Sequence, residues 1–194
     1  MNSKWTKRLI AYLFDFFLLF FLLIIVGLLF PNNDMINLQK EMTTIEQNYL
    51  FNVIDQARYY ELSFNVMAEM FRESMLTLLL NIMFIIIYFI FIPFINSKQT
   101  LGMKIMNIKI ASNNGKPITL SDLVLRNVIT NGLGYLLLSL GIYYILPSNT
   151  FIITVSILGI IQLLLVIISS FMIIYKHDRR GIQDLISNTK VIDC

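Results

Sequence analysis

Arg8-Leu9-Ile10-Ala11-Tyr12-Leu13-Phe14-Asp15 opens an apolar run that continues to Phe30. An arginine stands at the mouth of a membrane-length segment and a carboxylate stands inside it. The two are seven positions apart, which is about two helical turns and roughly 10 Å along the axis. Seven steps of 100° return nearly to the same face, so Arg8, Tyr12 and Asp15 share one stripe. Arg8 can reach the lipid phosphates through its long stem. Asp15 is too short for that, and a carboxylate this deep costs on the order of 2.5–3.5 kcal/mol on insertion scales. It must face protein or a wet cavity, pair with a cation, or carry a proton. Two readings stay open: a buried ion pair that locks helix packing, or a carboxylate that exchanges protons or cations.

The rest of the chain has the same character. Of 194 residues, 57% are hydrophobic and 14% charged, against roughly 45–50% and 25% in soluble domains. Four apolar runs fit four transmembrane helices, at about 9–30, 75–95, 124–146 and 150–175. They leave room for one membrane domain covering 1–194. The basic start followed by a hydrophobic run resembles a signal peptide, but the run is too long and no small-residue cleavage site follows it.

Between the first two runs, residues 31–74 hold seven acids and three bases, with no proline or glycine from 32 to 74. Apolar residues recur there at helical spacing, which predicts one or two amphipathic helices, the second running into the next span. A loop at 96–123 and a tail at 176–194 are basic. Together with residues 1–8 and Arg126 they carry twelve of the fifteen Lys and Arg. The positive-inside rule then predicts both termini and the 96–123 loop in the cytoplasm of a cell-membrane protein, with 31–74 as an external insertion. The alternation Ile108-Lys109-Ile110, the turn signal Asn113-Asn114-Gly115 and the segment Pro117–Leu120 predict a small cytoplasmic hairpin. Thr119 or Ser121 is placed to cap the helix after it. Gly132, Gly134, Ser139 and Gly141 read as packing residues of span three. The expected fold is all-α, with these two additions.

Few groups can carry chemistry. The single histidine and single cysteine have no partner at metal-ligand spacing, a nucleophile with a histidine base cannot be assembled in the membrane, and no phosphate-cradling glycine loop is present. The sequence therefore argues against an enzyme and requires no cofactor, metal or nucleic acid. What remains is a polar set on the half of the bundle predicted to be cytoplasmic. Asp15 lies roughly 9–10 Å into span one. Arg126 is the first choice as its partner and Arg8 the second. Asp184 can pair with Arg8 or with a lysine of the 98–109 segment. Tyr12, Asn127, Asn131, Gln162, Ser169 and Ser170 are the secondary polar candidates.

In order and spacing these residues resemble the RDD family of small membrane proteins, named for one arginine and two aspartates. The resemblance covers most of the chain. It rests on Arg8 and Asp15 in span one, on Thr100-Leu101-Gly102-Met103-Lys104, on the turn Asn114-Gly115-Lys116-Pro117, on Arg126, and on Gln183-Asp184 followed by Thr189-Lys190-Val191. Gln183 stands where the family usually has histidine, which argues against histidine chemistry in the tail. The 31–74 insertion is longer than expected for the family and suggests a dedicated external partner. The resemblance implies transport of an unknown ligand, with sodium–proton antiport associated with some members. An arginine held against Asp15 would favour its charged form and oppose proton exchange at neutral pH.

Two functions follow as expectations. One is a transporter or permease, possible substrates being a monovalent cation and a proton, with Asp15 as exchange site, Arg8 and Arg126 tuning it and Asp184 holding the tail. The other is a non-transporting accessory or assembly protein that binds a membrane or extracellular partner through 31–74. A transporter should place Asp15 beside a cavity with polar neighbours from other helices. An accessory protein should bury it in a dry ion pair and expose an apolar patch on the insertion. The sequence leaves the oligomeric state open.

Overall fold

The computed structural model describes residues 3–29 and 31–194; Phe30, the last residue of the expected first span, and the first two residues of the basic start lie outside them. The chain is mostly helical. Helix α1 (Trp5–Leu29) is followed by α2 (Asn33–Leu50) and α3 (Gln56–Glu73). These two pack side by side through Leu38, Ile45 and Val66. Each starts with a side-chain cap, Asn32 on the amides of Asp34 and Met35 and Asp55 on the amide of Arg58, which satisfies donors that a helix start leaves open.

Only Ser74 separates α3 from α4 (Met75–Phe84). The helix then widens into a π-helical segment, Ile85–Phe91, and ends as α5 (Ile92–Ile95). Pro93 explains part of this irregularity. It has no N–H, so the carbonyl of Phe89 loses its α-helical donor, and Asn127 Nδ2 donates to it instead at 3.2 Å. Short helix α6 (Leu101–Ile105) tucks against α1 and leads into strand β1 (Ile108–Ser112).

Helices α7 (Leu120–Thr130) and α8 (Leu133–Tyr143) occupy the expected third span, but they meet at 77°. The straight span expected at 124–146 is corrected to a bent pair. The bend sits at Asn131-Gly132, where Gly132 has φ +65°, a conformation that costs glycine little and other residues more. Side chains and the cap amide support the carbonyls at the end of α7. Thr130 Oγ1 donates to Arg126 O at 3.0 Å, the amide of Asn131 to Asn127 O at 3.3 Å, and Gln162 Nε2 to Ile129 O at 2.6 Å. Gln162→Leu leaves Ile129 O without its side-chain donor, so thermal unfolding in detergent should show a loss of about 1–3 kcal/mol; an unchanged melting curve would place the support of the bend elsewhere. The start of α7 is a capping box, in which Thr119 and Asp122 exchange hydrogen bonds.

Helix α9 (Ser148–Tyr175) runs the length of the bundle, and a turn leads to α10 (Ile182–Ile186) and β2 (Thr189–Asp193). On that turn Arg180 Nε donates to Asp178 at 3.1 Å and holds its carboxyl below the usual carboxylate range. The hairpin expected within the 96–123 loop is also corrected. Strand β1 forms where the alternation predicts it, but it pairs antiparallel with β2, Ile110 opposite Val191. The two strands carry the same alternation, and burying Ile108, Ile110 and Val191 on one face selects this register. The main apolar core lies between the α4–π segment, β1, Leu123 of α7 and Leu133 of α8.

Three helical stretches are long and apolar enough to cross a membrane, Trp5–Leu29, Met75–Ile95 and Ser148–Tyr175, and α7 with α8 makes a fourth if the bent pair is one span. The first and last bury few of their own residues, so most of their apolar surface faces outward. The strand pair and the α2–α3 unit lie at opposite ends of α1.

Candidate functional site

The polar residues gather at the strand-pair end of the bundle, in two clusters. In the first, Asp15 is 2% exposed and accepts three hydrogen bonds. Tyr88 Oη of the π-helical segment donates to Oδ1 at 2.5 Å, the amide of Gly102 donates to Oδ1 at 2.7 Å, and Thr100 Oγ1 donates to Oδ2 at 2.6 Å. Thr100 is also the cap of α6, accepting from the amide of Met103 at 3.2 Å. The carboxylate therefore closes the start of a short helix from outside, taking an amide that this helix cannot satisfy itself. The approach is close enough to exclude a side chain at Gly102: a Cβ there would press on the backbone oxygen of Ala11 and lie 2.8 Å from Asp15 Oδ1.

The second cluster is centred on Asp184, which is fully buried. Arg126 Nη1 donates to Oδ1, and Arg8 Nη1 donates to Oδ2 at 3.0 Å. The amide of Gly181 reaches the same Oδ2 at 3.2 Å. Arg8 spreads its remaining donors over Ser3 Oγ (3.0 Å) and Val191 O (3.1 Å), and Arg126 adds Thr189 Oγ1 (3.2 Å). One carboxylate thus joins α1, α7, α10 and β2. Beside it Ser169 Oγ donates to Gln183 and accepts from the amide of Ile182 at 3.0 Å, tying α9 to α10. Lys7 pairs with Asp193 at 2.6 Å on the surface.

This arrangement corrects the expected pairing. Arg126 and Arg8 both bind Asp184, and neither forms an ion pair with Asp15. Asp15 has no ion-pair partner among the described residues. Of the two partners considered for Asp184, Arg8 is the one it takes. The secondary candidates divide. Asn127 bridges Phe89 O and Leu123 O and accepts from Asn131, and Gln162 supports the bend. Ser169 belongs to the Asp184 cluster. Ser170 returns its hydroxyl to Val166 O within its own helix. Tyr12 lines the cavity described next.

Between α1, α7 and α9 lies a cavity of about 210 Å³. It is lined by Asp15 and Thr100, by Arg8, Arg126 and Asn127, and by Val166, Ser170 and Ile173 of α9. Sequence reasoning missed Tyr88, whose hydroxyl sits in an otherwise apolar run, and Thr100 and Gly102, which it read only as part of a motif.

Comparison with curated proteins and with solved structures gives no match. A model of the RDD family matches residues 3–188, nearly the whole chain, and the chain belongs to the RDD family.

Proposed function

We propose that this RDD-family chain is a small permease of the cell membrane, and that exchange of a monovalent cation for a proton at Asp15 is its specific chemistry. The supporting observation is the environment of that carboxylate. It borders a cavity, its neighbours come from other segments, its three donors are neutral, and both arginines that could neutralise it are committed to Asp184. A carboxylate in an apolar segment without a fixed counterion leaves its charge to be balanced by something that can come and go. No arginine forms an ion pair with Asp15, which weakens the objection to proton exchange, although Arg8 and Arg126 border the same cavity. In this reading the strand-pair end faces the cytoplasm, following the basic residues it carries. The Asp184 cluster is structural, and no residue has a catalytic role.

The test is cation-driven proton flux in sealed proteoliposomes for the parent and Asp15→Asn. Flux in the parent that falls at least about tenfold in the variant, a difference of roughly 1.4 kcal/mol in barrier, supports exchange at Asp15. Absence of flux from folded, inserted parent protein, with sodium, potassium and lithium each tried, sinks the exchange reading.

A second reading has its own observation. At the turn joining α2 to α3, Leu50, Phe51 and Val53 are 75%, 78% and 69% exposed. This apolar tip on an acidic pair of helices suits docking to a partner, as an accessory protein would. Loss of a co-purifying partner on Phe51→Ser, with flux unaffected, would favour that reading for the insertion.

A further inference from the structure

We propose that the cavity binds an amphiphile with an anionic head group, a carboxylate or phosphate on an acyl chain, with the head on Arg126 and the chain between α1 and α9. This goes beyond ion exchange at Asp15 and does not depend on it.

Arg126 carries the argument. The residue is only 8% exposed, yet it uses a single nitrogen, Nη1, for both Asp184 and Thr189. Nε and Nη2 donate to nothing among the described residues. They are not sealed off, because the one buried side-chain nitrogen or oxygen without a partner there is Ser63 Oγ. Arg126 lines the cavity, and a ligand held there is the partner proposed for its open donors. A guanidinium with a free edge is a planar fork that matches carboxylate or phosphate oxygens. Arg8 and Arg126 border the cavity and share a single carboxylate, Asp184, which lies behind them and outside its wall. Asp15 also borders the cavity, its oxygens covered by three neutral donors, so the head group is drawn by the open edge of Arg126 and not by an excess of positive charge.

The other walls indicate the rest of the ligand. Leu9 of α1 and Val166, Ile173 and Ile174 of α9 are apolar. At about 210 Å³ the cavity is below the roughly 300–1,000 Å³ of sites that enclose a drug-sized ligand, so only a head group and the first part of a chain fit. The remainder lies outside, along α1 and α9, which bury few of their own residues. That outside is lipid. Trp5 and Arg8 border the cavity near the start of α1, and a tryptophan beside an arginine at the end of an apolar span suits the membrane–water interface.

Trp5 is the only tryptophan and lines the cavity, so it reports occupancy directly. The full chain is placed in vesicles of phosphatidylcholine, and small equal fractions of acyl-brominated phosphatidylcholine, phosphatidate or free fatty acid are added to quench Trp5. The expected result is quenching by an anionic amphiphile at about tenfold lower fraction than by the brominated phosphatidylcholine, the ratio that one charge-assisted hydrogen bond of roughly 1.5 kcal/mol supplies. Preference for the phosphatidate alone assigns the site to a bilayer lipid, and preference for the fatty acid alone to a free acid; both support it. Ser170→Phe fills the cavity from α9, adds no charge and leaves the Asp184 cluster intact, so it should abolish the preference. Arg126→Gln should do the same where it folds. Equal quenching by all three probes overturns the proposal. So does a preference that survives Ser170→Phe, which would come from the basic surface near Trp5. Flux measured on the same vesicles separates the two ideas: preference without flux leaves this site and removes exchange, and flux without preference does the reverse.

Discussion

Asp184→Ala should cost about 3–5 kcal/mol of stability, the usual result of leaving a buried charge without its partner. Here two guanidiniums are left, Arg8 and Arg126, each with a side chain only 9% exposed. The same substitution removes the acceptor for the amide of Gly181 and frees the start of α10. Reversible denaturation in mixed micelles measures the loss. Arg8→Met should cost less than Asp184→Ala, because Arg126 and Asp184 still neutralise each other. The combination Arg8→Met, Arg126→Met and Asp184→Leu should regain much of the loss, since replacing a whole buried ion cluster by apolar groups is often neutral or favourable. Parent-like stability of Asp184→Ala alone would mean that water or lipid satisfies both arginines and that the cluster does not hold the bundle end together.

The second large effect is expected at Gly102. In Gly102→Ala the new methyl group presses on the carbonyl of Ala11 and lies 2.8 Å from Asp15 Oδ1 and 2.9 Å from its Cγ. The first contact is helical backbone of α1 and cannot move aside, so α6 must withdraw. Its amide then loses Asp15, and Thr100 is pulled from Oδ2. Overpacking of this kind costs about 1–3 kcal/mol, and the lost hydrogen bonds to a charged group add to it. A fall in melting temperature together with faster amide exchange at 100–105 is the expected outcome. A lower melting temperature with exchange at 100–105 unchanged would mean that α1 yields instead and that Asp15 does not anchor α6.

The membrane helices were legible because a long apolar run has few other uses, and the cap at Thr119 follows from local chemistry alone. Partner choice was not legible. Periodicity puts Arg8 and Asp15 on one stripe of α1, but it cannot say that the stripe meets two different segments. Arg8 meets the tail, and Asp15 meets a loop that tucks against the helix at Gly102. The bend at Asn131-Gly132 left a trace that was read as packing: asparagine followed by glycine within a span is also a helix-stop signal. The strand at 108–112 was visible in its alternation. Its partner was not, because Thr189–Asp193 lies far along the chain and several short segments could have matched it.

The sequence distance between Arg8 and its acid, 176 residues, also fixes an order in time. At translation rates of about 5–20 residues per second, roughly 10–35 s separate the synthesis of the two ends. Through that interval Arg8 has Ser3, water and lipid phosphates but no acid to satisfy it, and β1, once made, waits with an open edge. Both vacancies are filled by the same late segment, α10 with β2, after α9 has been made. The buried carboxylate therefore completes the bundle end last: Asp184 and β2 reach Arg8, Arg126 and β1 only after every earlier helix has been made.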